Sequence, residues 1–478
     1  MTDFFTRFLP VKPVILWTDG LIFLLSISLL LLVGYGMHRE PLRAPWRQIS
    51  RRPLVMSAFI VLIFYAAVGL CDSIHFRRPL APIDAKQERQ YAPEVLSLLD
   101  LIAHPLRTQT ERTYSAPLAF SAYTKEMLEF EDGTRMRAYP RLKFGGAHLK
   151  DPTRERPRDI AALGIGGASI GLVLWIIVCG LIVLLLSRLH GRGIGKTAFS
   201  ILKGDTETAW RAIFFSILIV TVLGGMAASI GAKYHLFGTD KVGQDVFYLA
   251  LKGIRTGLVI GTLTTLVMLP LAIFLGIAAG YFRGWIDDLI QYLYTTLSSV
   301  PGVLLIAAAV LILQVYMEKH AEAFSSITER ADTRLLFLCI ILGLTGWIGL
   351  CRLLRGETLK LREMEYVQAA NALGVQPRTI LIRHILPNVM HIVFIAVVLD
   401  FSGLVLAEAV LSYVGVGVDP AMISWGNMIN SARLELAREP VVWWSLAAAF
   451  VFMFGLVLSA NIFSDGVRDA FDPHLRGR

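Results

Sequence analysis

Charge is what this chain has least of. Of its 478 residues only 17% are Asp, Glu, Lys or Arg against 55% hydrophobic, a balance that excludes an ordinary soluble protein of this length and points to one embedded in a membrane. Cysteine is nearly missing. Cys71, Cys179, Cys339 and Cys351 all lie in or at the ends of apolar runs, without paired spacing, which excludes a disulfide framework or a thiolate metal site and leaves them as small hydrophobes. The ten histidines show no Cys, Ser or carboxylate partner at meaningful spacing, so covalent catalysis is not expected. A complete phosphate-binding loop is lacking too. His190 to Thr197 nearly spells one, but its leading glycine is displaced by one residue and it follows an apolar run instead of a strand; it reads as a flexible basic linker. A cleavable leader is not expected, because the first apolar run is too long and has no small-residue cleavage site after it. The net charge of +9 gathers at the ends of apolar runs, as topology signals do, and does not call for nucleic acid.

What the chain has in abundance is bilayer-length apolar sequence. Nine runs stand out, each near the ~20 residues that a span requires: about Val14–Met37, Val55–Cys71, Ala161–Leu186, Ala212–Ala232, Gly257–Phe282, Leu293–Tyr316, Leu335–Cys351, Val389–Val418 and Val441–Phe463. Asp19 is expected at the outer end of the first. The arginine-dense loop from His38 to Arg52 marks the inside, as do Arg188, Arg192, Lys196 and Lys203. The expected class is all-α and polytopic: a two-span segment (1–71), an outside insert without a readable fold (72–160), a third span with a cytoplasmic linker (161–210), and a six-span core (211–478).

One polar, strongly patterned segment interrupts the second half. Met364–Leu373 reads as a short helix, Gly374 as its left-handed stop, and Pro377 as the start of a second helix that carries Arg378 and Arg383 and ends at Pro387. Ala369 and Ala370 would leave one face smooth enough to enter another protein's groove. Within this segment Glu365, Ala369, Ala370, Gly374 and Ile385-Leu386-Pro387 resemble the coupling loop (here 352–388) of the membrane subunits of ATP-binding-cassette importers, and more narrowly the C-type permease of the dipeptide/oligopeptide (peptide/nickel) family. Further stretches resemble the same family: Gly238-Thr239-Asp240 with Gly243 and Asp245, where Gln244 replaces the usual arginine; Ala279–Trp285; Glu408–Gly417; Ser424–Met428; and Asp465–Pro473. The resemblance covers about Arg211–Pro473, and the first 210 residues lie outside it.

The resemblance implies a permease in the bacterial inner membrane, its C-terminus cytoplasmic, that moves a peptide by alternating access while separate subunits hydrolyse ATP. It implies a second homologous permease, two ATPase subunits holding ATP and Mg, and a periplasmic binding protein as partners, with no cofactor or metal on this chain. Coupling would rest on Glu365, Ala369, Ala370, Gly374, Arg378 and Pro387, and binding-protein contact on Asp240, Asp245, Trp425 and Asn427. Asp400 and Glu408, acids within the eighth run, are candidates for the translocation path, since charge at such depth faces a bundle interior or water; for Glu408 a structural pairing is the competing role. The alternatives are a permease for nickel or another non-peptide solute, an ion-coupled secondary transporter using the same two acids, and a scaffold whose insert recruits partners.

Overall fold

The computed structural model describes residues 11–36, 40–80, 90–129, 135–191, 193–320, 322 and 326–471. In order, the chain forms β1 (Lys12–Val14), α1 (Trp17–Gly36), α2 (Glu40–Ser50), α3 (Pro53–Ser73), β2 (His75–Arg77), β3 (Leu96–Ser97), α4 (Leu98–Ile102), α5 (His104–Thr108), β4 (Glu126–Glu129) and β5 (Arg135–Ala138). There follow α6 (Pro152–His190), α7 (Ile194–Lys203), α8 (Trp210–Gly231), α9 (Val246–Phe282), α10 (Gly284–Ser299), α11 (Gly302–Lys319), α12 (Ile327–Gly346) and α13 (Ile348–Arg362). Last come α14 (Glu365–Ala372), α15 (Pro377–Ile380), a π-turn (Leu381–Ile385), α16 (Leu386–Tyr413), α17 (Trp425–Glu435) and α18 (Trp444–Phe471). Among the described residues, eight helical stretches are long and apolar enough to cross a membrane by length and composition, and α1 is a further, shorter apolar helix. Each of the nine expected runs is thus helical over most of its described length, and the protein is an all-α polytopic one.

Three expectations about helix ends need correction. The run Leu293–Tyr316 is broken, because Pro301 forces Val300 into extended backbone and so separates α10 from α11. The helix expected to end at Pro387 continues to Tyr413. Pro387 sits in the first turn of α16, where the wide π-turn lets the Leu386 N–H reach back to the Leu381 carbonyl and makes room for the ring. Thirdly, the linker Gly195–Thr197 lies inside α7 and is helical rather than flexible. Arg192 and the end of the tail motif, Asp472-Pro473, lie outside the described residues, as do His38 and Arg39.

The chain divides into two discontinuous compact units. The first holds the described part of Met1–Ile15 with Trp46–Thr256 and Ile423–Ser459. Its main helix pair, α6 and α8, meets backbone to backbone: a Cβ on Gly167 would stand 2.4 Å from the Gly225 carbonyl, and one on Gly171 2.4 Å from that of Thr221. Only glycine permits that approach, the small-residue packing of apolar helices. Next to it α3 is fastened to α18 by the Tyr65 hydroxyl, which donates to the Phe452 carbonyl at 2.8 Å. In the insert, β2 pairs antiparallel with both β1 and β3, so a strand from ahead of α1 completes its sheet. Ser97 and Asp100 cap each other's backbone at the start of α4, and β4 pairs with β5.

The second unit comprises the described residues of Leu16–Pro45, Gly257–Met422 and Ala460–Arg478. Thr18 donates from its N–H to Asp332 at 3.1 Å and from its hydroxyl to the same carboxylate, tying α1 to α12. Asp19, placed by sequence at an outer end, is fully buried. The core gathers Met268, Ala272, Cys351, Leu354, Val367, Ile380, Ile385 and Val389.

Candidate functional site

The coupling segment lies wholly in the second unit. It starts with α13, which α9 holds by glycine contact: a Cβ on Gly276 would be 2.8 Å from the Cys351 carbonyl, and one on Gly280 2.6 Å from Thr358 Cβ. From α10, Asp287 accepts two bonds from the Arg355 guanidinium, at 2.6 and 2.7 Å, and this pairing holds its carboxyl below the ordinary range. The short helix α14 then turns Val367 and Ala370 into the core, while Glu365, Ala369, Ala372 and Leu373 face outward. Here the sequence reading is corrected. Ala370 is buried, so the smooth outward face is Ala369 with Ala372, and the small side chain at Ala370 lets the helix sit close to its own core.

Gly374 ends α14 as expected, with φ +72°. The N–H of Val375 bonds to the Ala370 carbonyl at 3.1 Å and that of Gly374 to the Asn371 carbonyl at 3.0 Å, the double closure of a Schellman turn. A Cβ at Gly374 would meet nothing within 4 Å, so the demand for glycine comes from backbone conformation. Beyond the turn Arg378 is exposed and Ile380 fully buried.

Three cross-links that the sequence did not reveal brace this element. Tyr281 at the end of α9 donates to Asn371 Oδ1 at 3.0 Å, Arg283 pairs with Glu363 at 2.6 Å, and the Asn388 amide donates to the Tyr366 hydroxyl at 3.1 Å. Tyr281 and Arg283 belong to the Ala279–Trp285 stretch recognised without a role, so the signal was present and its purpose was not. The pairing of Arg283 and Glu363 is exposed and contributes little by itself. The buried face and the closed turn set the rigidity.

Of the two acids in α16, Glu408 is buried and accepts from the Ser412 hydroxyl one turn on, at 2.8 Å. Asp400 is half-buried.

In the first unit the Gly-Thr-Asp loop is clamped by the insert. Thr239 Oγ1 accepts from the Ser115 N–H at 2.7 Å and donates to the Thr113 carbonyl at 2.8 Å; its carbonyl receives the Trp444 indole N–H at 2.9 Å. A Cβ on Gly238 would fall 2.2 Å from the Ser115 carbonyl, and one on Gly243 2.0 Å from that of Glu111, which explains both glycines. Beneath them His235 stands between Asp245, 2.8 Å from Nδ1, and Glu111, 3.4 Å from Nε2. Burial alone would lower the His235 pKa, but the two carboxylates raise it to about 9. Burial would likewise raise that of Glu111, yet His235 and the N–H groups of Phe144, Lys143 and Gly145 bring it down to about 2.

This geometry separates the four residues expected to contact a binding protein. Asp245 and Trp425 are buried and present no side-chain surface to a docking partner. Asp245 fixes His235, and the Trp425 indole donates to the Ala250 carbonyl at 2.9 Å with its ring against Gly253. Asp240 and Asn427 are half-buried: Asp240 closes its own turn by accepting from the N–H groups of Val242 and Gln244, and the Asn427 N–H meets Ser424 at the start of α17. Recurrence in a motif did not distinguish residues that shape a loop from residues on its surface.

Comparison with known proteins places the coupling segment in a family. Residues 272–477 match the model of the binding-protein-dependent transport system inner membrane component, a stretch that contains the whole coupling segment. An oligopeptide transport system permease protein of Mycobacterium tuberculosis is 32% identical over 244 residues, 51% of this chain and 77% of that one. A dipeptide transport system permease protein of Bacillus subtilis is 30% identical over 242 residues, 51% of this chain and 69% of that one. A glutathione transport system permease protein of Pectobacterium atrosepticum is 33% identical over 244 residues, 51% of this chain and 73% of that one. The chain therefore belongs to the family its coupling loop indicated, the multi-pass inner-membrane permeases of binding-protein-dependent, ATP-binding-cassette import systems.

Proposed function

We propose that this chain is the permease subunit of an ATP-driven importer of dipeptides or oligopeptides, and that its six-span core, 211–478, converts ATP hydrolysis by separate subunits into alternating access. The observation that carries this reading is α14 with its turn: a short exposed helix, backed by buried Val367 and Ala370 and closed at Gly374, can pass on a push without bending. Its outward residues Glu365 and Ala369, with Arg378 beyond the turn, would enter a groove on an ATPase subunit. Gly374 and Pro387 would set its two ends, and Ala370 its seat. ATP and Mg would be held by two such subunits and none of that chemistry by this chain, which would pair with a second, homologous permease.

Arg352, Arg355, Arg362, Arg378 and Arg383 support a cytoplasmic coupling segment, and with it a cytoplasmic C-terminus. Asp240 and Asn427 would then lie on the periplasmic side, available to a binding protein, while Asp400 and Glu408 would border the path. Peptide as substrate is supported by the names of the relatives, one of which, named for glutathione, favours a second reading: a small peptide-like solute. The test is Gly374→Val in the assembled, reconstituted complex. ATP hydrolysis should persist while uptake falls; normal uptake would sink the coupling assignment.

A further inference from the structure

The near phosphate-loop sequence around Gly195–Thr197 is left without a role by the importer reading. It forms α7, whose faces differ in kind. Thr197 and Ile201 point inward, 7% and 3% exposed. Ile194, Phe199 and Leu202 are 56%, 67% and 72% exposed, and an apolar surrounding is favoured over water for such side chains. Phe199 and Leu202, three apart, are neighbours on the helix. Lys196 and Lys203, seven apart, form a line beside them, so the order around the helix is buried face, apolar flank, basic edge. The position is equally specific. Only residues 191–193 separate α7 from α6, whose last turns expose Leu181, Leu185 and Leu189, and residues 204–209 separate it from α8. A helix tied this closely between two spans stays at the level where they leave the bilayer, whichever side that is.

We infer that α7 lies along the membrane surface, Phe199 and Leu202 seated between headgroups and acyl chains, Lys196 and Lys203 at the phosphates of anionic lipids. The helix carries no acid; Asp205 just past its end meets Lys203 at 3.3 Å, but both are exposed, so the basic edge still complements an anionic leaflet. The lysines reach the phosphates along their own apolar stems.

The test uses the full chain with its native cysteines replaced by alanine, a spin label at a single cysteine introduced at position 199, 202 or 196, and vesicles of phosphatidylcholine with phosphatidylglycerol. At 199 and 202 the label should be relaxed by oxygen and hidden from a water-soluble nickel chelate, with the reverse at 196. Access of the chelate to 199 and 202 would overturn the proposal, since the helix would then stand in water. Protection of both from oxygen and chelate alike would overturn it as well, since protein would then cover them. With phosphatidylglycerol present, Lys196→Gln or Lys203→Gln should each shift the balance toward a lifted helix by roughly fivefold; equal behaviour in phosphatidylcholine alone would remove the anionic-lipid assignment.

Discussion

Gly374 shows how a single backbone angle constrains function. Its φ of +72° costs an L side chain about 1–2 kcal/mol, and no neighbour would obstruct one. Asn, which tolerates this conformation, should therefore retain most transport at Gly374, whereas Val should lose it with little loss of fold; equal uptake by the two would assign the defect to something other than the turn. This constraint was legible in the sequence because few residues other than glycine stop a helix in this way. The inward turn of Ala370 was not, since Ala369 and Ala370 differ only in which side of one helical turn meets the core. His235 escaped sequence reading because neither partner stands at a recognisable spacing: Asp245 is 10 residues on and Glu111 124 residues back. Its ionisation gives the clamp a pH window. His235, with a folded pKa of about 9 against 6.5, stabilises fully below 6.5 and loses that contribution as pH rises through 9. Glu111, about 2 against 4.5, stabilises above 4.5 and loses it as pH falls toward 2. Protease resistance of the insert should be greatest between 4.5 and 6.5 and should decline from 6.5 to about 9. His235→Gln should remove this decline and lower resistance most below 6.5, because two buried carboxylates lose their cation there.

At the level of elements, helix pairs in both units are set by glycine. The positions of the spans could be read from hydropathy, but their partners could not, because an apolar helix looks alike from every side until another backbone approaches it. Gly225 proves to face Gly167, whereas its neighbour Gly224 faces open space. Gly276 and Gly280 are the more consequential pair, since they hold α13, from which α14 is reached. Gly280→Leu would put side-chain atoms where Thr358 and the Arg355 carbonyl stand, at a cost of about 1–3 kcal/mol. The expected outcome is a folded permease whose ATPase is no longer stimulated by substrate; wild-type stimulation would show that α13 tolerates displacement. Helix ends were the least legible feature. Pro387 reads as a stop, and the π-turn that carries the helix past it has no sequence signature.

For the whole molecule, the insert 72–160 is built into the first unit through specific contacts. Insert residues Thr113 and Ser115 satisfy Thr239. Lys252 of α9 is paired with Asp100 of the insert at 2.8 Å and Asp72 at 3.3 Å. Deleting 72–160 should therefore cost stability as well as any partner, seen as a lower melting temperature of the purified chain; an unchanged one would mean that the clamp contributes nothing. The central claim, a permease driven by separate ATPases, is tested most directly by purifying this chain from its native membrane in mild detergent, identifying what accompanies it, and assaying the complex for ATP hydrolysis. Two cassette ATPases and a second permease in a complex that hydrolyses ATP are the expected result. A chain that emerges alone and inert to ATP would contradict it, and attention would pass to Asp400 and Glu408 as the ion sites of a carrier.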